Sequence, residues 1–128
     1  IPGLHAALET LRAAGWKIGI VTNGPPSQHT KIANLELGDL VDGICVSADV
    51  GVDKPDRHIF DLAARRCDAA LEGWMVGDSP DTDIAGGHAA GLRTIWLDRG
   101  RPWQRTDLVP DAVVTTIDEA VRLITGRA

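Results

Sequence analysis

Apolar positions along the chain keep switching between two spacings. Leu4, Ala7, Leu8, Leu11 and Ala14 recur at helical intervals, Pro2 suits the first turn of that helix, and Gly15 is a natural stop. Residues 16–21 form an apolar run of strand length that ends at Thr22-Asn23-Gly24-Pro25-Pro26, which is strong turn chemistry. Residues 27–37 predict a helix and 43–47 a second strand. Pro55 opens a further helix whose faces are marked by Ile59, Leu62 and Ala63, and 74–76 predict a third strand ending at Gly77-Asp78. A helix over 81–90 closes at Gly91, 92–97 is a fourth strand, 98–111 a polar loop with Pro102 and Pro110, and 112–115 a fifth strand. Thr116 or Asp118 can cap a last helix over 119–124, which Gly126 ends. The strands are apolar throughout rather than alternating, so both their faces should be covered. That predicts an α/β fold, a three-layer α/β/α Rossmann-like sandwich with a mostly parallel sheet and no repeat or linker.

Composition narrows the partners. The 128 residues are one domain's worth, and 44% apolar against 24% charged positions is the mix of an ordinary globule. No apolar run approaches the roughly 18 residues of a membrane span. A net charge of -5 makes the chain a poor match for nucleic acid or an anionic membrane. Its two cysteines, Cys45 and Cys67, lack C-x-x-C spacing, which argues against a disulfide framework or zinc knuckle and suits a reducing, cytoplasmic setting. The chain begins at Ile1, its only methionine is Met75, and no signal segment precedes the first helix, so it is expected to be a piece of a longer protein.

In open parallel sheets, sites form beyond the carboxyl ends of the strands, and three such ends carry chemistry here. Thr22-Asn23-Gly24 offers a hydroxyl followed by backbone N–H groups, a small anion cradle, or simply a turn cap. Lys54 precedes Pro55, which restricts the backbone and can aim the ammonium; an isolated lysine reads equally as a solvated surface residue. Gly77-Asp78-Ser79-Pro80-Asp81-Thr82-Asp83 puts three carboxylates at a strand end and helix start. Such oxygen donors suit Mg²⁺. A helix N-terminus decorated with acids for its dipole explains Asp81 and Asp83 as well, and Asp78 less well.

Taken together, 18–24, Lys54-Pro55 and 77–91 resemble the second, third and fourth motifs of the haloacid dehalogenase-like (HAD) hydrolases, capped phosphatase type. The resemblance implies hydrolysis of a small phosphorylated metabolite through an aspartyl-phosphate, with Mg²⁺ as cofactor. It implies that Asp78 binds the metal directly and Asp83 through water or by orienting its shell. It implies that Thr22 and the N–H groups of Asn23 and Gly24 hold phosphate oxygens. Lys54 would neutralise charge on the nucleophile and the transferring group, which with Thr22 makes the catalytic pair in this stretch.

The family's first motif, a strand ending in D-x-D that supplies nucleophile and general acid, is missing. The only D-x-D is Asp81-Thr82-Asp83, which follows a turn. By the resemblance, Pro2-Gly3 marks the return from a helical cap, so residues 1–128 would be the core after that cap, inactive alone. The missing strand would lie between those ending at Thr22 and Asp78, leaving two inner edges unpaired. An upstream segment, a separate piece or another copy is expected to fill that gap; direct closure of the two edges would collapse the site. The alternatives are a non-catalytic phosphate- or metal-binding module of the same fold, or a dehalogenase. Four scattered histidines receive no role, Trp16, Trp74 and Trp96 read as packing residues, and the basic loop from Arg99 to Arg105 reads as solvated or as touching an anion or partner.

Overall fold

The computed structural model describes residues 3–126, so the expectation for Pro2 lies outside the described residues. Helix α1 (Leu4–Ala13) precedes strand β1 (Gly19–Thr22), and α2 (Gln28–Asn34) and β2 (Gly43–Val46) follow. A short α3 (Ser47–Val50) leads to α4 (Arg57–Arg66), with the Lys54–Pro55 peptide cis between them. Strand β3 (Trp74–Gly77) runs into a wide π-type turn (Pro80–Ile84) that continues as α5 (Ala85–Ala89). Strands β4 (Arg93–Leu97) and β5 (Ala112–Val114) and helix α6 (Ile117–Thr125) complete the chain. Thr116 is the cap of α6: its side chain accepts the Glu119 N–H. The helix expected over 27–37 ends earlier, at Asn34, with Glu36 in a left-handed turn at φ 56°. None of the described helices is long and apolar enough to cross a membrane.

All strand pairs are parallel, but they form two sheets. β1 pairs with β2, and β3 with β4 and β4 with β5; no ladder joins β1 to β3. An aspartate starts each half. Asp42 Oδ2 accepts the Ile18 N–H at 2.7 Å, and Asp111 Oδ2 accepts the Thr94 N–H at 2.7 Å. Helix α4 and the Gly86–Gly87 face of α5 cover one side through Cys45, Ile59, Phe60, Ala63 and Ala90. Helix α6 covers the other through Ala120 packed with Ile95, Leu97 and Val114, and α1 packs against α6. These are the three expected layers. Trp96 is buried within them, whereas Trp16 and Trp74 are only partly covered. Both cysteines are buried, and desolvation pushes both thiols up, which makes neither a ready nucleophile.

Direct closure of the two inner edges does not occur. A cleft of about 490 Å³ runs between β1 and β3 on the α1–α6 side, and a second cavity of about 300 Å³ flanks the same edges on the α4 side. The halves are held instead by helix packing. Gly86 lets α5 approach so closely that a Cβ there would meet Phe60 at 2.8 Å.

Candidate active site

The carboxyl ends of β1 and β3 open into the larger cleft, which is lined by Thr22 from one and by Gly77 and Asp78 from the other. Parallel strands of one direction bring their turns to a single end of the molecule. The three motif-bearing segments therefore converge although more than fifty residues separate the first from the third.

Lys54 is the most constrained polar residue there. Its backbone is clamped by the Asn23 side chain, whose Oδ1 accepts the Lys54 N–H at 2.8 Å while its Nδ2 donates to the Lys54 carbonyl at 3.0 Å. The ammonium then donates to Asp83 Oδ1 at 2.5 Å, with only 10% and 8% of the two side chains exposed. Asp83 is fixed in turn: Oδ2 accepts the Ser79 N–H at 3.2 Å, and its own N–H donates to the Ser79 carbonyl at 3.0 Å. Gly77 makes room for this carboxylate, since a Cβ there would stand 2.3 Å from Asp83 Oδ2. That close approach is why a glycine ends β3.

The arrangement adds to the sequence expectation at three places. Asp83, expected to bind the metal through water or to orient its shell, has one oxygen on the Lys54 ammonium and the other on the Ser79 N–H. The Gly24 N–H, expected on phosphate, donates to Ser47 Oγ at 2.8 Å. Asn23, whose N–H is expected on phosphate, also positions Lys54 through its side chain. Ser47, included in the strand expected over 43–47, lies just past the end of β2 and was given no site role. The Arg99–Arg105 loop is not merely solvated: Arg99 Nε stands 3.3 Å from Asp78 Oδ2, and Arg105 reaches Asp81 at 3.4 Å. A cation just beyond the fourth strand was the available signal.

Asp78 differs from Asp83. Its carboxylate is 53% exposed at the cleft, and its carbonyl accepts Trp96 Nε1–H at 2.9 Å, which pins the strand end. Among the described residues, no group of three or more His, Cys, Asp or Glu side chains is placed to hold a metal ion. The fit to Mg²⁺ is thus that of one exposed carboxylate, within the one or two such ligands the ion commonly takes from protein.

A family model described as haloacid dehalogenase-like hydrolase matches residues 1–91. The pyrimidine 5'-nucleotidase YjjG of Escherichia coli is 35% identical over 127 residues, covering 97% of this chain and 56% of that protein. The phosphoserine phosphatase of Thermus thermophilus is 33% identical over 120 residues, covering 92% and 48%. The crystal structure of a HAD phosphatase from Thermococcus onnurineus superposes with a TM-score of 0.88 at 31% identity, covering 99% of this chain and 59% of that one. The chain spans about half the length of the curated relatives it matches.

Proposed function

The chain belongs to the haloacid dehalogenase-like hydrolases, and on that premise we propose that it is the post-cap core of a Mg²⁺-dependent phosphohydrolase acting on a small phosphorylated metabolite. The observation that carries this reading is the buried Lys54, its backbone clamped by Asn23 and its ammonium held by Asp83, beside a cleft that Thr22 and Asp78 share.

The chemistry follows from charge. A phosphoryl dianion repels a carboxylate nucleophile, and fixed positive charge in a water-poor site lowers that repulsion without reorganising. Lys54 has three donors; Asp83 takes one, and the others remain for a phosphoryl oxygen and the attacking carboxylate. Asp83 keeps the ammonium in place and balances its charge until substrate arrives. Thr22 and the Asn23 N–H are the donors assigned to phosphate; the Gly24 N–H stabilises the turn through Ser47. Asp78 is the residue that would hold Mg²⁺, which supplies neutralisation of the phosphate charge when bound.

The nucleophile and general acid are assigned to a strand outside this sequence. The slot between β1 and β3 has the geometry for it: two unpaired parallel edges, apolar cover on both sides, and Lys54 beyond the carboxyl end. An upstream segment of the same protein is the proposed occupant; a separate piece or a second copy are the other sources. Substrate choice is then left largely to the cap.

The test is hydrolysis of p-nitrophenyl phosphate by the full-length protein with Mg²⁺ or EDTA, alongside Lys54→Ala and the 1–128 chain alone. Turnover only with Mg²⁺, lost in Lys54→Ala and absent from the isolated chain, is the expected result. Full activity in Lys54→Ala overturns the reading. Phosphate binding without turnover identifies a non-catalytic module, and chloride release from 2-chloropropionate a dehalogenase.

A further inference from the structure

We infer that Arg99 is a specificity-determining residue that receives the carboxylate of a phosphorylated carboxylic acid at the mouth of the cleft. The inference rests on the phosphohydrolase reading and adds a substrate class to it.

A tight turn sets the position of Arg99. The Asp98 N–H donates to the Val114 carbonyl at 2.8 Å, Asp98 Oδ1 accepts the Gly100 N–H at 2.8 Å, and Gly100 takes φ 89°, a conformation that favours glycine. This holds Arg99 at the end of β4, where it lines the same cleft as Thr22 and Asp78.

Two other cations at this end of the cleft are already paired, and Arg101, two residues on, does not line it. Lys54 is balanced by Asp83. Arg105 gives Nε and Nη2 to the two oxygens of Asp107 at 3.0 and 2.7 Å and turns Nη1 to Asp81. Arg99 has one ionic partner among the described residues, Asp78, with Nε 3.3 Å from Oδ2, and both side chains are half exposed. Arg99 lines the cleft, and its side chain makes no hydrogen bond among the described residues; a guanidinium fork matches a carboxylate in two parallel bonds. The Asp78 contact shows the arginine already taking a carboxylate. Asp78 is also the acid assigned to the cation. A site in which Asp78 turns to its cation leaves Arg99 needing a second anion, and a substrate with a carboxylate beside its phosphate supplies one. A neutral polyol phosphate does not.

The matched pair for the test is 3-phosphoglycerate and glycerol 3-phosphate, which differ by a carboxylate against a hydroxymethyl group. The readout is the ratio of their kcat/KM values in the full-length protein, with calorimetric binding of both compounds measured in parallel. The ratio should favour 3-phosphoglycerate and fall about tenfold or more in Arg99→Ala, the loss expected for a hydrogen-bonded charged partner. Arg99→Lys should restore part of it. A ratio unchanged by Arg99→Ala overturns the inference. If p-nitrophenyl phosphate is hydrolysed and neither compound is, the phosphohydrolase reading stands and binding decides for Arg99; if none of the three is hydrolysed, that reading fails on its own and binding again decides for Arg99. Selective weakening of 3-phosphoglycerate supports the role, and equal affinities in both variants overturn it.

Discussion

Two ion pairs stand at the same strand ends and have opposite characters. Lys54–Asp83 is nearly dry, short, and braced on both sides by Asn23 and Ser79. Arg99–Asp78 is half exposed and longer, with Nε 3.3 Å from Oδ2. The first joins the β1–β2 half of the molecule to the β3–β4–β5 half across a gap that no strand ladder crosses. The second joins a loop to a strand end that is already fixed by Trp96. A buried pair with its hydrogen bonds satisfied cannot lose one member cheaply, whereas an exposed pair exchanges partners at little cost. The site thus has one charge that stays put and one that is available for exchange.

Lys54→Ala attacks the dry pair directly. It leaves the Asp83 carboxylate buried with only the Ser79 N–H, and urea unfolding should show a loss of about 3–5 kcal/mol. Adding Asp83→Asn should recover much of that loss, because the stranded charge is gone; no recovery would mean that the cost lies in packing.

Gly77→Ala tests the same pair through sterics. The new methyl group must displace the Asp83 carboxylate from 2.3 Å. An overpacking cost of about 1–3 kcal/mol is expected, with weakened phosphate binding as Lys54 follows its partner. A variant as stable as the parent would show that the turn relaxes freely.

Asn23→Ala removes two hydrogen bonds from the Lys54 backbone. The expected cost is about 1–2 kcal/mol, with phosphate affinity reduced although the ammonium and Asp83 are both still present. Unchanged phosphate affinity would make Asn23 a bystander.

Asp42 supplies a case between the two, with its side chain 16% exposed. Hydrogen bonding from the Ile18 N–H, helped by Arg12, holds its carboxyl below the usual carboxylate range. A group lowered in this way contributes stability above its unfolded pKa, near about 4, and loses it as pH falls through the folded value. Asp42→Asn should flatten that acid limb of a stability–pH curve and change the neutral plateau less than Lys54→Ala does.

Arg99→Ala is the smallest effect. Stability should stay within about 0.5 kcal/mol of the parent, and salt should change it little further, since an exposed pair is already screened. A loss comparable to that of Lys54→Ala would erase the distinction between the two pairs.

Much of this molecule was readable in one dimension. Helical spacing in 4–14, apolar runs of strand length, and Gly or Pro at their ends gave the order of elements, because burial of a face imposes a period and turns impose residue types. Thr22, Lys54 and Asp78 stood out because they end or follow apolar runs, and a parallel sheet sends all such ends to one side. The D-x-D strand was legible as missing, and the structure has two unpaired inner edges where it was expected.

What the chain order did not contain was pairing. Nothing local shows that Asp83 rather than Asp78 takes the ammonium, that Asn23 clamps a backbone thirty-one residues away, or that Ser47 occupies the Gly24 N–H. Residue type and neighbours determine which groups can form hydrogen bonds and where the chain turns. Which of several chemically equivalent partners each group meets depends on distances of a few ångströms across the packed halves, and only the tertiary structure decides those.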